Sequence, residues 1–166
     1  MHPLLVAITR STAPAATILI RIAVGAVFLS EGIQKFLDPA AVGAGRFAKI
    51  GIPAPELVAP FVGSTEVLCG TLVLLGLFMR LAVIPLLGVM AVAIVSTKVP
   101  ILLGEGFWGF SVRKVPEYGF WAMAHEARTD FAMTLGSAFL LVVGAGPRSI
   151  DRQLSGGASG SGQKIE

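Results

Sequence analysis

Charge is scarce in this chain. Only 14% of its 166 residues are Asp, Glu, Lys or Arg, while 54% are hydrophobic; a soluble domain carries about 25% charged residues. So few charges cannot cover a water-facing surface, and lipid is expected to be much of the solvent. The mean hydropathy of +0.80 agrees. A single cysteine, Cys69, excludes an internal disulfide and a C-x-x-C redox pair. The two histidines, His2 and His125, lie outside the long apolar runs. That excludes a b-type haem held by facing histidines between helices, and no metal or covalently bound cofactor is expected. The net charge is +3, but no Lys/Arg stripe accompanies it, so nucleic acid is not an expected partner. Long apolar alternation at strand period is absent as well, which argues against a barrel.

What is present is a set of four apolar runs, near Ala16–Leu37, Leu57–Phe78, Leu81–Leu103 and Asp130–Ala145. A helix needs roughly 20 residues to span a bilayer, and in lipid only a helix satisfies its backbone within one segment. The expected fold is all-α, an integral membrane antiparallel four-helix bundle. It occupies residues 1–154 and is followed by a flexible Gly/Ser-rich tail over 155–166. Glu31 and Lys35 interrupt the first run, which begins only after fifteen residues, so it reads as a retained helix and not a signal peptide.

The connections are unequal. "DPAAVGAGRFAKIGIPAPE" holds a candidate interfacial helix, with Val42, Phe47 and Ile50 alternating with Arg46 and Lys49. "FMRL" turns the chain at Met79 and Arg80. The third connection, Gly104 to Thr129, contains six of the thirteen aromatics, including Trp108 and Trp121. Three small-xxx-small pairs, Ala26/Ser30, Ala59/Gly63 and Ala132/Gly136, predict close helix packing.

Up-down topology places the first and third connections on one side, with both termini and the short turn on the other. Glu31, Lys35, Glu66, Lys98, Arg128 and Asp130 then fall in the half nearer the long connections. Arg21 belongs to the opposite half, where it is expected to snorkel. Glu66 lies roughly 13 Å into its helix at 1.5 Å per residue, near the midplane. An acid at that depth keeps its proton or finds a cation, and Lys35, Lys98 and Arg128 are the candidates. Glu31 and Lys35 stand four residues apart in the favourable order, so a self-satisfied pair is equally open. Asp130 suits the first turn of a helix. Cys69 reads as a buried structural thiol, and His125 as a surface residue. Trp108 and Trp121 fit an interfacial belt or a lid that stacks on a flat ring.

These residues carry a family resemblance. "RIAVGAVFLSEGIQKF", "FAKIGIPAP", "VGSTEVLCGTLVLLGLFMRLA" and "VVGAGPRSID" occur in the order of the DoxX family, small four-helix membrane proteins related to the small subunit of thiosulfate:quinone oxidoreductase. Arg21, Gly25, Gly32 and Lys35 correspond to its R-x-x-x-G…G-x-x-K pattern. Glu66 stands for the family glutamate, with Gly70 and Gly76, and Asp130 takes the place of a glutamate in the last helix. The resemblance extends over Ile20 to Leu154. It implies a link to quinone-coupled or oxidative-stress chemistry with soluble partners.

The expected function is therefore a membrane subunit of a quinone-linked redox or oxidative-stress system. Glu66, Glu31 and Asp130 are its candidate proton-exchanging groups; Lys35, Lys98, Arg128, Trp108 and Trp121 are its candidate ligand-binding groups. Quinone is the expected non-covalent cofactor. Expected partners are the bilayer and soluble redox enzymes or a second membrane subunit; a homo-oligomer is compatible with the sequence. The alternatives are a non-catalytic membrane scaffold for soluble enzymes and a small proton-coupled transporter. Lys and Arg divide six on the terminus side and seven on the loop side. The expectation of cytoplasmic termini in the cell membrane therefore leans on Arg10, Arg21, Arg80, Arg148 and Arg152 near helix ends.

Overall fold

The computed structural model describes residue 11 and residues 13–156. The described residues contain helices and no strand. In chain order these are α1 (Thr17–Leu37), α2 (Ala44–Ile50), α3 (Pro55–Leu75), α4 (Met79–Ala93), α5 (Val99–Leu103), α6 (Phe120–Glu126), α7 (Arg128–Val143) and α8 (Ile150–Gly156). A π-helical turn, Ile94–Lys98, joins α4 to α5. The tail expected over 155–166 begins as the end of α8; its remainder lies outside the described residues, as do His2 and Arg10.

Local chemistry sets the boundaries. Pro39 disfavours helical backbone at Asp38, so α1 stops at Leu37, and the Asp38 carboxylate accepts the Ala41 N–H at 3.0 Å. Pro55 opens α3 at a position where its missing N–H costs nothing. α3 ends at Leu75, short of the expected Phe78, because Gly76 takes a left-handed φ of 67° that closes the helix. The turn is thus Gly76–Phe78, and Met79 belongs to the first turn of α4. There the Asp151 carboxylate accepts the N–H groups of Phe78 (2.8 Å) and Met79 (3.1 Å). A residue of α8 caps a helix that starts seventy-two positions earlier.

α1 packs on α3, α3 on α4, α4 on α7, and α7 on α1. One apolar cluster draws Val24 and Phe28 from α1, Val73 from α3, Val83 and Leu86 from α4, and Leu140 from α7. The α1–α3 seam is made by glycine. A methyl group on Gly25 would meet the Gly70 carbonyl at 2.9 Å, and one on Gly32 would meet the Gly63 carbonyl at 2.7 Å. Two glycines on each helix, one facing each of the other two, bring the backbones together in antiparallel register. The small pair Ala26/Ser30 does not serve this seam: both residues are exposed. Ala59/Gly63 does face inward, and Gly136 abuts Val24.

The outer faces are apolar. Leu19, Ile22, Leu57, Phe61, Leu68 and Ile84 are all exposed, which is the arrangement lipid favours. Three segments are long and apolar enough to cross a membrane: Thr17–Leu37, Pro55–Leu75 and Met79–Leu103. The expected fourth, α7, has 16 residues, or about 24 Å at 1.5 Å per residue, against a hydrocarbon core of about 30 Å.

Two sets of backbone contacts distinguish the ends. The Ser111 N–H donates to the Ile50 carbonyl at 3.0 Å, joining the first and third connections on one side. On the other, Arg21 is 3% exposed and does not snorkel. Its guanidinium donates to the carbonyls of Val73 (3.1 Å), Leu74 (2.6 Å), Ala145 (3.2 Å) and Arg148. Arg21 ties the last turn of α3 to the connection between α7 and α8 through their carbonyls, and a planar fork of five donors suits that task.

Candidate functional site

The polar residues of the loop-side half are held by four elements. α1 presents Glu31 and Lys35 near its C-terminal end. α3 presents Glu66 at mid-length, the π turn presents Lys98, and α7 presents Asp130 in its first turn. Seating Glu66 against α1 requires the close approach at Gly32, where an added methyl would stand 2.9 Å from the Glu66 Cβ. The small residue and the acid are therefore parts of one construction.

Lys35 Nζ donates to Glu66 Oε2 at 2.6 Å, and the two side chains are 9% and 4% exposed. The same ammonium reaches the Glu31 backbone carbonyl at 3.4 Å. The i,i+4 pair open in the sequence is thus not made: Lys35 turns to the neighbouring helix and leaves the Glu31 carboxylate aside. Glu31 is half-buried, and its carboxylate adds a like charge that acts on Glu66. Of the three candidate cations, Lys35 is the one that meets Glu66.

Lys98 instead meets Asp130, Nζ to Oδ2 at 3.1 Å. The π turn contributes to this. Pro100 has no N–H, and its ring would press on the carbonyl four residues back in a regular α-helix; widening the turn before it relieves that crowding. Thr97 Oγ1 donates to the Ala93 carbonyl at 2.6 Å within the turn. Lys98 ends buried, and π turns recur at functional positions. The two ion pairs share no hydrogen bond with each other among the described residues.

The remaining candidates lie at the surface. Arg128 and His125 are exposed. Trp108 and Trp121 are each 82% exposed, Trp108 stacked on Phe107 at 5.1 Å and Trp121 edge-on to Phe120 at 5.2 Å. Cys69 is buried in the apolar cluster. Among the described residues no group of three or more His, Cys, Asp or Glu is arranged to hold a metal ion.

Two cavities lie on the same elements, and Lys98 is the candidate residue that lines one of them. A groove of about 570 Å³ runs along α1 and α3, lined by Ile33, Phe36, Leu37, Ser64, Val67, Leu68 and Thr71. A second, of about 240 Å³, lies beneath the third connection and includes Arg46, Lys49, Lys98 and Arg113. The sequence contained the basic residues of this second cavity, but not the fold-back of Ser111–Arg113 over α2 that assembles them.

The arrangement of Arg21, Gly25, Gly32, Lys35 and Glu66 on one helix pair agrees with a comparison of the whole sequence. The DoxX family model matches residues 16–99. A protein of Mycobacterium tuberculosis described as an uncharacterized membrane protein is 52% identical over 151 residues, covering 91% of this chain and 88% of its own. The chain belongs to the DoxX family. The DoxX match includes the Lys35–Glu66 pair and Lys98, and ends before the third connection and Asp130. The mycobacterial relative extends the likeness across most of the chain. No solved structure matches this DoxX protein.

Proposed function

We propose that this DoxX-family membrane protein is a subunit of a quinone-linked redox or oxidative-stress system, and that the Lys35–Glu66 pair is its ligand-facing polar site. The observation that carries the reading is that pair, 2.6 Å apart on two helices suited to span a membrane. An ionisable residue inside such helices is expensive and marks function by default. The groove on the same helix pair supports the reading. It is lined by Phe36 and Val67 of that helix pair and not by Lys35 or Glu66 themselves, and its volume falls within the roughly 300–1,000 Å³ of small-molecule sites. In this account the groove takes the isoprenoid tail, Glu66 exchanges a proton with a ring oxygen, and Lys35 steadies negative charge on the reduced ring. A soluble enzyme or second membrane subunit supplies the electrons. Glu31 and Asp130 relay protons from the loop side.

The architecture proposed with it is a transmembrane four-helix bundle with cytoplasmic termini, α7 serving as the fourth span. Its short length is met by local thinning of the bilayer and by α6, which precedes it with one residue between.

The test is titration of the purified protein in nanodiscs with a short-chain ubiquinone or menaquinone. Saturable binding that is lost in Glu66→Gln supports the reading. Binding that Glu66→Gln leaves unchanged removes it.

The exposed rings of Trp108, Tyr118, Phe120 and Trp121 favour a second reading, a scaffold whose third connection receives soluble enzymes. Loss of co-purifying enzymes on replacing 104–129, with Glu66→Gln silent, selects it.

A further inference from the structure

The cavity beneath the third connection has a composition that the quinone reading does not use. Nine residues line it: Arg46, Lys49 and Ile50 from α2, Thr97 and Lys98 from the π turn, Ile101 from α5, and Ser111, Val112 and Arg113 from the third connection. Four are cations and none is a carboxylate. Two of the four have partners elsewhere, since Lys98 pairs with Asp130 and Arg113 with Glu126. Arg46 and Lys49 make no ion pair among the described residues. The cavity therefore keeps an excess of two positive charges beside two hydroxyl groups, those of Thr97 and Ser111.

The fold holds these charges together against their mutual repulsion. α2 is anchored by Phe47, buried in a cluster with Ala44 and Ala59, so Arg46 and Lys49, both exposed, project from its outer side. Ser111 is tied to the end of α2 through the Ile50 carbonyl, which sets Arg113 opposite. Lys98 is buried on the π turn. With Lys98 and Arg113 paired to carboxylates, the two uncompensated charges of Arg46 and Lys49 beside this space repel each other and favour an anion between them. At about 240 Å³ the cavity is below the usual range for ring-bearing ligands, but it suits a compact anion. Arginine with lysine is the donor set for a tetrahedral oxyanion, the guanidinium giving paired hydrogen bonds and the ammonium a point charge.

We propose that this cavity is a binding site for a tetrahedral oxyanion of the phosphate class, held by Arg46, Lys49, Lys98 and Arg113. The same chemistry is offered by the headgroup of an anionic phospholipid and by free phosphate, and the two sources separate experimentally. The site is independent of the quinone reading, because Arg46 and Lys49 take no part in the Lys35–Glu66 pair.

The experiment uses the full-length protein in nanodiscs of phosphatidylcholine alone or with phosphatidylglycerol, and in detergent with inorganic phosphate. Thermal stability and native mass spectrometry are the readouts. Wild-type protein is expected to gain stability with one of the two additions and to retain that molecule in the mass spectrum. R46Q/K49Q is expected to weaken the effect at least tenfold in midpoint concentration, and R46K/K49R to keep most of it. Lys114→Gln, which removes one charge outside the lining residues, is expected to leave it unchanged, and so is Glu66→Gln. A response to phosphatidylglycerol alone assigns a lipid headgroup; a response to phosphate assigns a soluble anion. No response to either, or equal weakening by Lys114→Gln, overturns the site. If R46Q/K49Q does not fold, Arg113→Gln takes its place with the same expectation.

Discussion

Lys35 and Glu66 meet at 2.6 Å although thirty-one residues and a helical connection separate them. Lys35 has a closer partner available in sequence, since Glu31 lies one turn away on the same helix. The cross-helix contact is made because Gly32 and Gly63 let α1 and α3 approach until the Glu66 side chain lies against α1. Backbone proximity decides which carboxylate the lysine takes.

That dependence predicts the effect of Gly32→Ala. The added methyl has the Gly63 carbonyl at 2.7 Å and the Glu66 Cβ at 2.9 Å, and neither is the free end of a flexible chain. α1 and α3 must part, at a cost of about 1–3 kcal/mol for overpacking. Unfolding in mixed micelles is expected to show that loss. Gly88→Ala, where nothing lies within 4 Å, is expected to show none.

Arg21 gives a second prediction. Its guanidinium serves four carbonyls, two in the last turn of α3 and two in the connection between α7 and α8. Arg21→Lys keeps the charge and loses the planar fork. At least two buried carbonyls then lose their donor, at about 1–3 kcal/mol each. Thermal unfolding in detergent is expected to show Arg21→Lys nearly as damaging as Arg21→Met.

The cap supplied by Asp151 gives a third. Asp151→Ala removes the acceptor for the Phe78 and Met79 N–H groups, a loss of about 0.5–2 kcal/mol; Asp151→Asn is expected to retain part of it. Hydrogen exchange at Phe78 and Met79 checks this directly: both amides exchange faster in Asp151→Ala, while amides in the middle of α4 are little changed.

A fourth concerns the π turn. Pro100→Ala restores an N–H and removes the ring that crowds the preceding turn, so 94–98 is expected to relax toward a regular α-helix. Residues after the turn would rotate, and Lys98 would no longer be set against Asp130. The coupling energy between Lys98→Met and Asp130→Asn in a double-mutant cycle is expected to be clear in the Pro100 background and to fall toward zero with Pro100→Ala.

Much of this was legible in the sequence. The scarcity of charge and the spacing of the apolar runs gave an all-helical membrane protein, and the sidedness of the connections placed Lys35 and Glu66 in the same half. The order of Arg21, Gly25, Gly32, Lys35 and Glu66 pointed to the DoxX family. The fourth run, Asp130–Ala145, has 16 residues, the length of α7 at Arg128–Val143; hydropathy counts apolar residues without reporting where a helix is capped, so only the two-residue offset was hidden. Two further features were not legible, for physical reasons. The burial of Arg21 was hidden because the carbonyls of α3 and of the α7–α8 connection gather around it only once the helices pack. Arg46, Lys49 and Arg113 were visible as basic residues, but their meeting depends on one loop folding back over a short helix.

The central claim, that Lys35 and Glu66 form one buried unit inside membrane-spanning helices, is tested most directly by a double-mutant cycle. Unfolding free energies would be measured in mixed micelles for Lys35→Met, Glu66→Leu and the double variant. Removing one partner strands the other's charge, at about 3–5 kcal/mol; removing both strands none. The prediction is that each single variant is severely destabilised while the double variant is no worse than either. Single effects that simply add, to within about 0.5 kcal/mol, would contradict it.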